Sequence, residues 1–412
     1  MQPVSSVESR PSPPESRIVR RRRRLQGFKP PYRRLVSALT TSSTAMEDLA
    51  DSFPALLFAL ATGYGTDRTR MAVERLIEHG APLKTACAAF GLPMWLRRVP
   101  AAALRRPLPP MPKDAEFGTT MAARLPTDPK ECAPWLECVC LAVRLVGRDF
   151  ALWLAREPRA MPPLTSDEEF QWLMAWAWAS ANPTSPGHRL LRTGWTPAVG
   201  WKKARDDMAV WKKRIDLVGA LAGEVRDPWF DDAAVQGLQI VHLQSVQDFI
   251  AESMAMDNCL DQYAAHLAYG RVRIFSIRRH GKPIADVELT QRADEATMPC
   301  VSQIRGPRNR RAPPAIWQAV HAWLGAQPFR TIAICPTPLS ATREALKAFW
   351  KPYAQALAAG GLAQGVGIPV REPCFGVAHD EIAQTVRPIQ DMRLPRRPAA
   401  RLEMAQSEGD RR

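Results

Sequence analysis

No two cysteines in this chain are spaced as CxxC, no stretch approaches the ~20 apolar residues that span a bilayer, and no segment repeats at a fixed period. Histidine is scarce, with seven in 412 residues. Each shortage excludes something. The eight cysteines, at positions 87, 132, 138, 140, 259, 300, 335 and 374, do not form the framework of a small secreted domain. Cys132, Cys138 and Cys140 cluster, but no histidine stands beside them and the zinc-ligand spacing is poor. Buried reduced thiols are therefore expected there, with no metal and no other cofactor. The short apolar runs provide no membrane span. The arginine run Arg20, Arg21, Arg22, Arg23, Arg24 leads into LQGFKPPYRR and not into an apolar core, which does not read as a secretory signal. A cytoplasmic protein is the expectation.

What is present is a globular composition, 46% hydrophobic and 24% charged, carrying 38 prolines and a formal charge of +15. The charge is unevenly placed. Residues 1–35 hold nine Arg and one Lys against Glu8 and Glu15, a net of +8. Residues 387–412 add +3, so the 351 residues between them hold only +4. The pattern predicts a disordered basic arm over 1–45 and a disordered basic tail over 386–412. The arm would pair Arg20, Arg21, Arg22, Arg23, Arg24, Lys29, Arg33 and Arg34 with the phosphates of DNA or RNA, in a salt-dependent and sequence-blind way.

From Met46 apolar residues recur at helical spacing, with Gly63 and Gly80 at helix ends. A helical region is expected over 46–236, interrupted by a proline-rich linker near 105–118. PLKTACAAFGLPMWLRR has the length of a helix-turn-helix, but its second helix would meet Pro100 too soon, and a helical hairpin within a core is preferred. WKKARDDMAVWKKRI places Trp201, Met208, Trp211 and Ile215 on one stripe, which reads as packing and not as base stacking. After Gly237 the pattern changes to a helix near 244–268, then to RVRIFSIRR, KPIADVELT and CVSQIRG, which alternate with period two. Helices at 314–325 and 340–359 follow, with further strands expected at RTIAICP and near 366–377. The fold class is α+β: a helical N-terminal region, then an antiparallel-sheet domain with flanking helices over 237–385.

Alternation predicts a polar site on that sheet. Ile274, Ser276 and Arg278 share one face of the first strand; Ile284, Asp286 and Glu288 share one face of the second; Val301, Gln303 and Arg305 share one face of the third. Joining the apolar faces gathers Ser276, Arg278, Asp286, Glu288, Gln303 and Arg305 opposite them, where guanidinium, carboxylate and amide groups can form a charge-assisted network. The alternative is a solvated face with weak cross-strand ion pairs.

The order of these residues resembles the PcfJ-like family, found on conjugative plasmids, phages and related bacterial mobile elements. Met256, Cys259, Tyr263, Gly270, Ser276, Arg278, Glu288, Leu289, Gln303, Arg305, Gly306 and Asn309 match its pattern, over Val241 to Arg310. Asn258 stands where the family has histidine, Asp286 where it has threonine, and the upstream Glu-Gly is Glu252-Ser253. The resemblance implies an accessory role in plasmid transfer and no particular reaction; mobile-element transfer proteins join DNA and RNA as expected partners. It also draws Asn258, Cys259, Tyr263 and Asn309 around the polar face.

Cys259 is the one candidate nucleophile. In an unbroken helix it lies among core side chains. In a helix restarting at Asp257 or Asn258 it sits in a first turn, where amides stabilise a thiolate. A nucleophile needs a base in reach, and Asn258 cannot take a proton. A non-enzymatic, nucleic-acid-associated accessory factor is therefore the leading reading. A cysteine-dependent hydrolase or transferase, and a protein–protein adaptor using the tryptophan-rich region 170–230, are the alternatives.

Overall fold

The computed structural model describes residues 17–161, 166–223, 226–291, 299–328, 332–360 and 368–369. The chain divides into two compact units, Met1–Met208 with Pro352–Pro369, and Ala209–Lys351 with Val370–Arg412. The boundary falls inside a helix near residue 208, not at 236 where the sequence pattern changes.

The first unit is helical. It begins with α1 (Arg17–Leu25), α2 (Pro30–Ser42), α3 (Thr44–Ser52), α4 (Pro54–Ala61), α5 (Asp67–Glu78) and α6 (Leu83–Phe90). It continues with α7 (Ala115–Arg124), α8 (Pro129–Leu145), α9 (Arg148–Arg156), α10 (Asp167–Ala181) and the first turns of α11 (Trp201–Ala220). Local chemistry sets many of the starts: side chains of Ser43, Thr66, Asp114, Asp128 and Ser166 each accept from an amide in the first turn that follows. Pro54 opens α4 and so divides from α3 what apolar spacing reads as one helix.

Three expectations are corrected in this unit. Residues 17–45 are not an unstructured arm. They form α1 and α2, because Leu25, Phe28 and Val36 are buried and Tyr32 packs edge-on against Phe58. Residues 1–16 of the expected arm lie outside the described residues. The proline-rich stretch is not a free linker: Leu104, Leu108 and Met111 are buried, and Asp114 caps α7 and pairs with Arg148 at 2.7 Å. The helical hairpin expected at PLKTACAAFGLPMWLRR has only one α-helix. After α6 and the left-handed Gly91, residues Met94–Arg98 make only a 3-10 turn, with Trp95 and Leu96 buried.

The second unit is built on one antiparallel sheet in the order β1-β2-β3-β4-β5, so α+β is the fold class. The strands are β1 (Ala233–Val235), β2 (Leu238–His242), β3 (Val272–Arg279), β4 (Lys282–Gln291) and β5 (Pro299–Arg305). Helices α12 (Val246–Met256) and α13 (Ala264–Ala268) lie between β2 and β3; α14 (Pro314–Ala326) and the first turns of α15 (Leu339–Ala359) follow β5. Gln236-Gly237 and His280-Gly281, both pairs with positive φ, close two-residue hairpins whose twist matches their strands. Residues 332–336, expected as part of a strand at RTIAICP, carry none, and 330–331 lie outside the described residues, as do most of the strand expected near 366–377 and the whole tail 386–412.

One sheet face packs on α14. Ile240, Phe275, Ile277, Ala285, Val287 and Ile304 form a core with Ile316, Val320 and Trp323. The opposite face lies under α12, which packs over β4. Gly270, with φ +70, leads into β3 where a Cβ would collide with the Cys335 carbonyl, so only glycine brings the strand in at this angle.

Candidate functional site

The face under α12 carries the site. The register sets Ser276 opposite Asp286 and Asp286 opposite Arg305, then Ile274 opposite Glu288 and Glu288 opposite Gln303. Ser276, Asp286, Glu288, Gln303 and Arg305 therefore lie in two adjacent cross-strand rows. Two bulges change the rest of the expected pattern. Between Glu288 and Leu289 the register shifts, so Ser302 and Gln303 together face Glu288, and Val301 turns into the α14 core instead of sharing a face with Gln303. A second shift beside Ile277 likewise turns Ile284 toward that core.

The inner part of the site is buried and centred on a residue the sequence reasoning left out, Glu252 of α12. Its Oε1 accepts from the Ser276 hydroxyl at 2.7 Å, and its Oε2 receives Arg278 Nη2 at 3.4 Å. Arg278 Nε also donates to Ser276 Oγ at 3.0 Å. Asp286 lies beside this group, 6% exposed. Its Oδ2 accepts from Asn258 Nδ2 at 2.7 Å, whereas its Oδ1 is buried without a donor. Burial, reinforced by the Glu252 charge and a hydrogen bond to it, pushes the Asp286 carboxyl up to about 9, with Asn258 and Arg278 acting in the other direction. Glu252 takes the Ser276 hydroxyl and the Arg278 guanidinium, so neither of these bonds to Asp286. A carboxyl so placed favours its protonated form at neutral pH.

The outer part opens to solvent. Glu288 accepts from Tyr263 Oη at 2.9 Å, from Gln303 Nε2 at 2.6 Å and from the Ser302 hydroxyl. Gln303 Nε2 also meets Tyr263 Oη at 3.0 Å, and Gln303 Oε1 accepts from Arg305 Nε at 3.1 Å. Burial first, then the Glu288 charge, raises the Tyr263 phenol well above its ordinary range, so it acts as a donor. Asn258, Cys259, Tyr263, Asp286, Glu288, Gln303, Arg305 and Asn309 border a cavity of about 20 Å³, room for about one water. Ser276 and Arg278 do not line it; they belong to the buried inner part. Asp257, Arg308 and Asn309, all with positive φ, turn the chain at the rim, where Arg308 pairs with Asp257 at 3.1 Å.

Neither sequence reading of Cys259 describes its place. α12 ends at Met256 in the left-handed Asp257, tied off by the Ser253 hydroxyl donating to the Asn258 carbonyl at 2.7 Å. The Asn258 side chain accepts from the Leu260 amide, and Cys259 precedes a three-residue 3-10 turn. The thiol is exposed, neither packed in a core nor set in the first turn of an α-helix. No described side chain makes a hydrogen bond to its sulfur. His266 packs on the Tyr263 ring, centroids 5.3 Å apart, and His280 is an exposed hairpin residue. The turn after Cys259 is held by Arg214 of α11, whose Nε donates to Asp261 at 2.8 Å with both side chains buried. Among the described residues no cluster of His, Cys, Asp and Glu could hold a metal.

Glu252 had a signal in the sequence: a carboxylate on the same helical stripe as Phe249, Ser253 and Met256, where apolar residues belong. Ser302 had none, because period-two alternation points it to the opposite face.

The eight basic positions at the N-terminus divide by role. Arg24 binds Asp48 at 3.1 Å and Asp51 at 2.6 Å, and Arg33 donates to the carbonyls of Phe28 and Gln26. Arg22, Arg23, Lys29 and Arg34 are exposed. The side chains of Arg20 and Arg21 lie outside the described part of the chain.

Among the described residues no helix is long and apolar enough to cross a membrane. No curated protein and no solved structure matches the chain. Of the three positions that depart from the family pattern, Asn258 and Asp286 touch each other and Ser253 donates to the Asn258 carbonyl, so the departures meet at Asn258. Residues 230–320, which hold the whole sheet face and the loop bearing Cys259, match the family model described as PcfJ-like protein.

Proposed function

We propose that this is a PcfJ-like accessory protein of a bacterial mobile element, cytoplasmic and non-enzymatic, that holds nucleic-acid phosphates on the cationic side chains of α1 and α2. The observation that carries this reading is the anchoring of the basic cluster. Successive residues of a helix point 100° apart, so Arg22, Arg23 and Arg24 leave α1 in three directions. Arg24 is fastened to Asp48 and Asp51 of α3, while Arg22, Lys29 and Arg34 are exposed and have no partner among the described residues. A fixed base with projecting cations suits backbone binding, which reads charge and not sequence. The geometry at Cys259 favours the same side of the choice, since no described side chain bonds to the exposed thiol as a base would. Transfer proteins of the mobile element would be the protein partners.

The test is binding of the full-length protein to duplex DNA and to RNA of unrelated sequence over a range of salt. The triple substitution Arg22→Gln, Lys29→Gln, Arg34→Gln alters only exposed side chains and is expected to leave the circular dichroism spectrum intact. It should weaken binding and lower the slope of log K against log salt by about 0.9 for each DNA phosphate no longer neutralised. Binding of unchanged strength and slope would remove α1 and α2 from the interface.

A further inference from the structure

On the other side of β3 from the polar site lies a second cavity, of about 80 Å³, bordered by Arg226, His242, Gln244, Leu267 and Arg273. Its cations are fixed by neutral acceptors. Arg273 donates Nε to the Asp227 carbonyl at 2.7 Å and Nη1 to the carbonyls of Gly270 and Val272 at 3.0 and 2.9 Å, and its guanidinium lies 4.5 Å from the centre of the Trp229 ring. Arg226 donates to the carbonyls of Ala220 and Leu267 and to the Thr337 hydroxyl. Neither guanidinium forms an ion pair with a described carboxylate. Two polar atoms bordering the cavity are orphaned: Arg273 Nη2, on a side chain 2% exposed, and His242 Nδ1, 7% exposed. A buried donor without an acceptor is costly, and an unpaired buried guanidinium more so.

Asp232 Oδ1 accepts from the His242 amide at 2.8 Å, and the two carboxylates whose charges act on the His242 ring are engaged elsewhere. Asp227 Oδ1 caps the Trp229 amide at 3.0 Å, and Asp248 Oδ2 accepts from the amides of Gln244 and Ser245. Neither borders the cavity. Two fixed guanidiniums and an imidazole around a space of this size make a receptor for a compact anion with several acceptor oxygens.

We propose that this cavity binds an oxyanion of the phosphate class, as the free ion or as the terminal phosphate of a nucleotide, through Arg273 Nη2, Arg226 and His242. A bound anion supplies the acceptor that Arg273 lacks and offsets the buried charge of Arg273 and the half-buried charge of Arg226. It also favours the imidazolium of His242, which burial and the Arg273 charge otherwise hold down at about 4. The site is independent of α1 and α2 and of the proposed nucleic-acid contact.

The experiment uses the full-length wild-type protein with inorganic phosphate, a nucleoside 5′-monophosphate, and chloride at matched ionic strength as the control. Phosphate should raise the thermal midpoint above the chloride control and shift the His242 titration, followed by NMR, upward by about one pH unit or more. A similar shift with the nucleotide places a phosphate monoester in the cavity; a shift with phosphate alone restricts it to the free ion. His242→Gln, which keeps an uncharged side chain there, should weaken phosphate binding several-fold. Arg273→Lys keeps the charge but loses the fork and should weaken it about tenfold or more. The wild-type titration remains decisive if that variant fails to fold. An unmoved His242 titration and an unmoved midpoint with both phosphate ligands would overturn the proposal.

Discussion

On one face of the sheet two buried carboxylates, Glu252 and Asp286, share the single guanidinium of Arg278, whereas on the other face Arg226 and Arg273 have no carboxylate bonded to them at all. The two clusters are built on neighbouring residues of β3 and are unbalanced in opposite senses. They differ in how the imbalance can be relieved. A carboxyl group can take up a proton, and the raised value of Asp286 favours that form, which relieves the repulsion with Glu252. A guanidinium cannot give one up in the ordinary pH range, so the other cluster leaves Arg273 Nη2 without an acceptor and has space beside it. An excess of buried acid closes a site; an excess of buried base leaves one open.

The buried pair Arg214–Asp261 is the balanced reference for both clusters. Removing one partner should produce the largest effect of any substitution considered. Asp261→Ala strands a buried guanidinium and should cost about 3–5 kcal/mol of unfolding free energy, read by urea denaturation. It should also loosen the turn that follows Cys259. A loss below about 1 kcal/mol would mean the pair is solvated and the comparison lacks its reference.

Next in size is the pH dependence from Asp286. Its folded value is raised to about 9 from the ordinary carboxylate value of 3.8. Between those limits the folded state binds a proton that the unfolded state has released. The contribution is therefore fully present below about pH 4 and is lost as pH rises through 9. Asp286→Asn imitates the protonated acid: its amide can donate to Glu252 while its oxygen still accepts from Asn258. The variant should match wild type near pH 4 and exceed it by on the order of 2 kcal/mol near pH 8. Equal pH profiles for the two proteins would show that Asp286 is ionised.

His242 should give a smaller effect of opposite sign. Its folded value lies near 4, below the ordinary 6.5. The unfolded chain binds the proton first, so stability falls as pH drops from about 6.5 through 4. His242→Gln should flatten this acid limb by about 1–2 kcal/mol. Phosphate, if it occupies the cavity, should flatten the same limb in the wild-type protein.

Much of the polar face was legible because a strand has a strict period of two. That arithmetic places Ser276, Asp286, Glu288, Gln303 and Arg305 together without any tertiary information. It fails at bulges, where one added residue exchanges the faces: Val301 turns to the core and Ser302 stays with Glu288. Alternation also cannot say what covers a face, so Glu252 on α12 was missed as a member of the site. Arg273 and His242 escaped for a related reason. They sit on the face that reads as apolar, at its edge, where Arg273 lies over Trp229 and His242 beside Phe275. At the N-terminus composition misled in another way. A high arginine count suggested an unstructured arm, but Leu25, Phe28 and Val36 suffice to bury one side of α1 and α2, and the charges occupy the remainder.

The protonation of Asp286 can be read directly in the infrared. The difference spectrum between wild type and Asp286→Asn at neutral pH, with carbon-13 label in aspartate, isolates one carboxyl group. A lost C=O stretch of a protonated acid that shifts with the label is the expected result. A difference confined to the two stretches of an ionised carboxylate would contradict the shared proton, and with it the account of how this face is held closed.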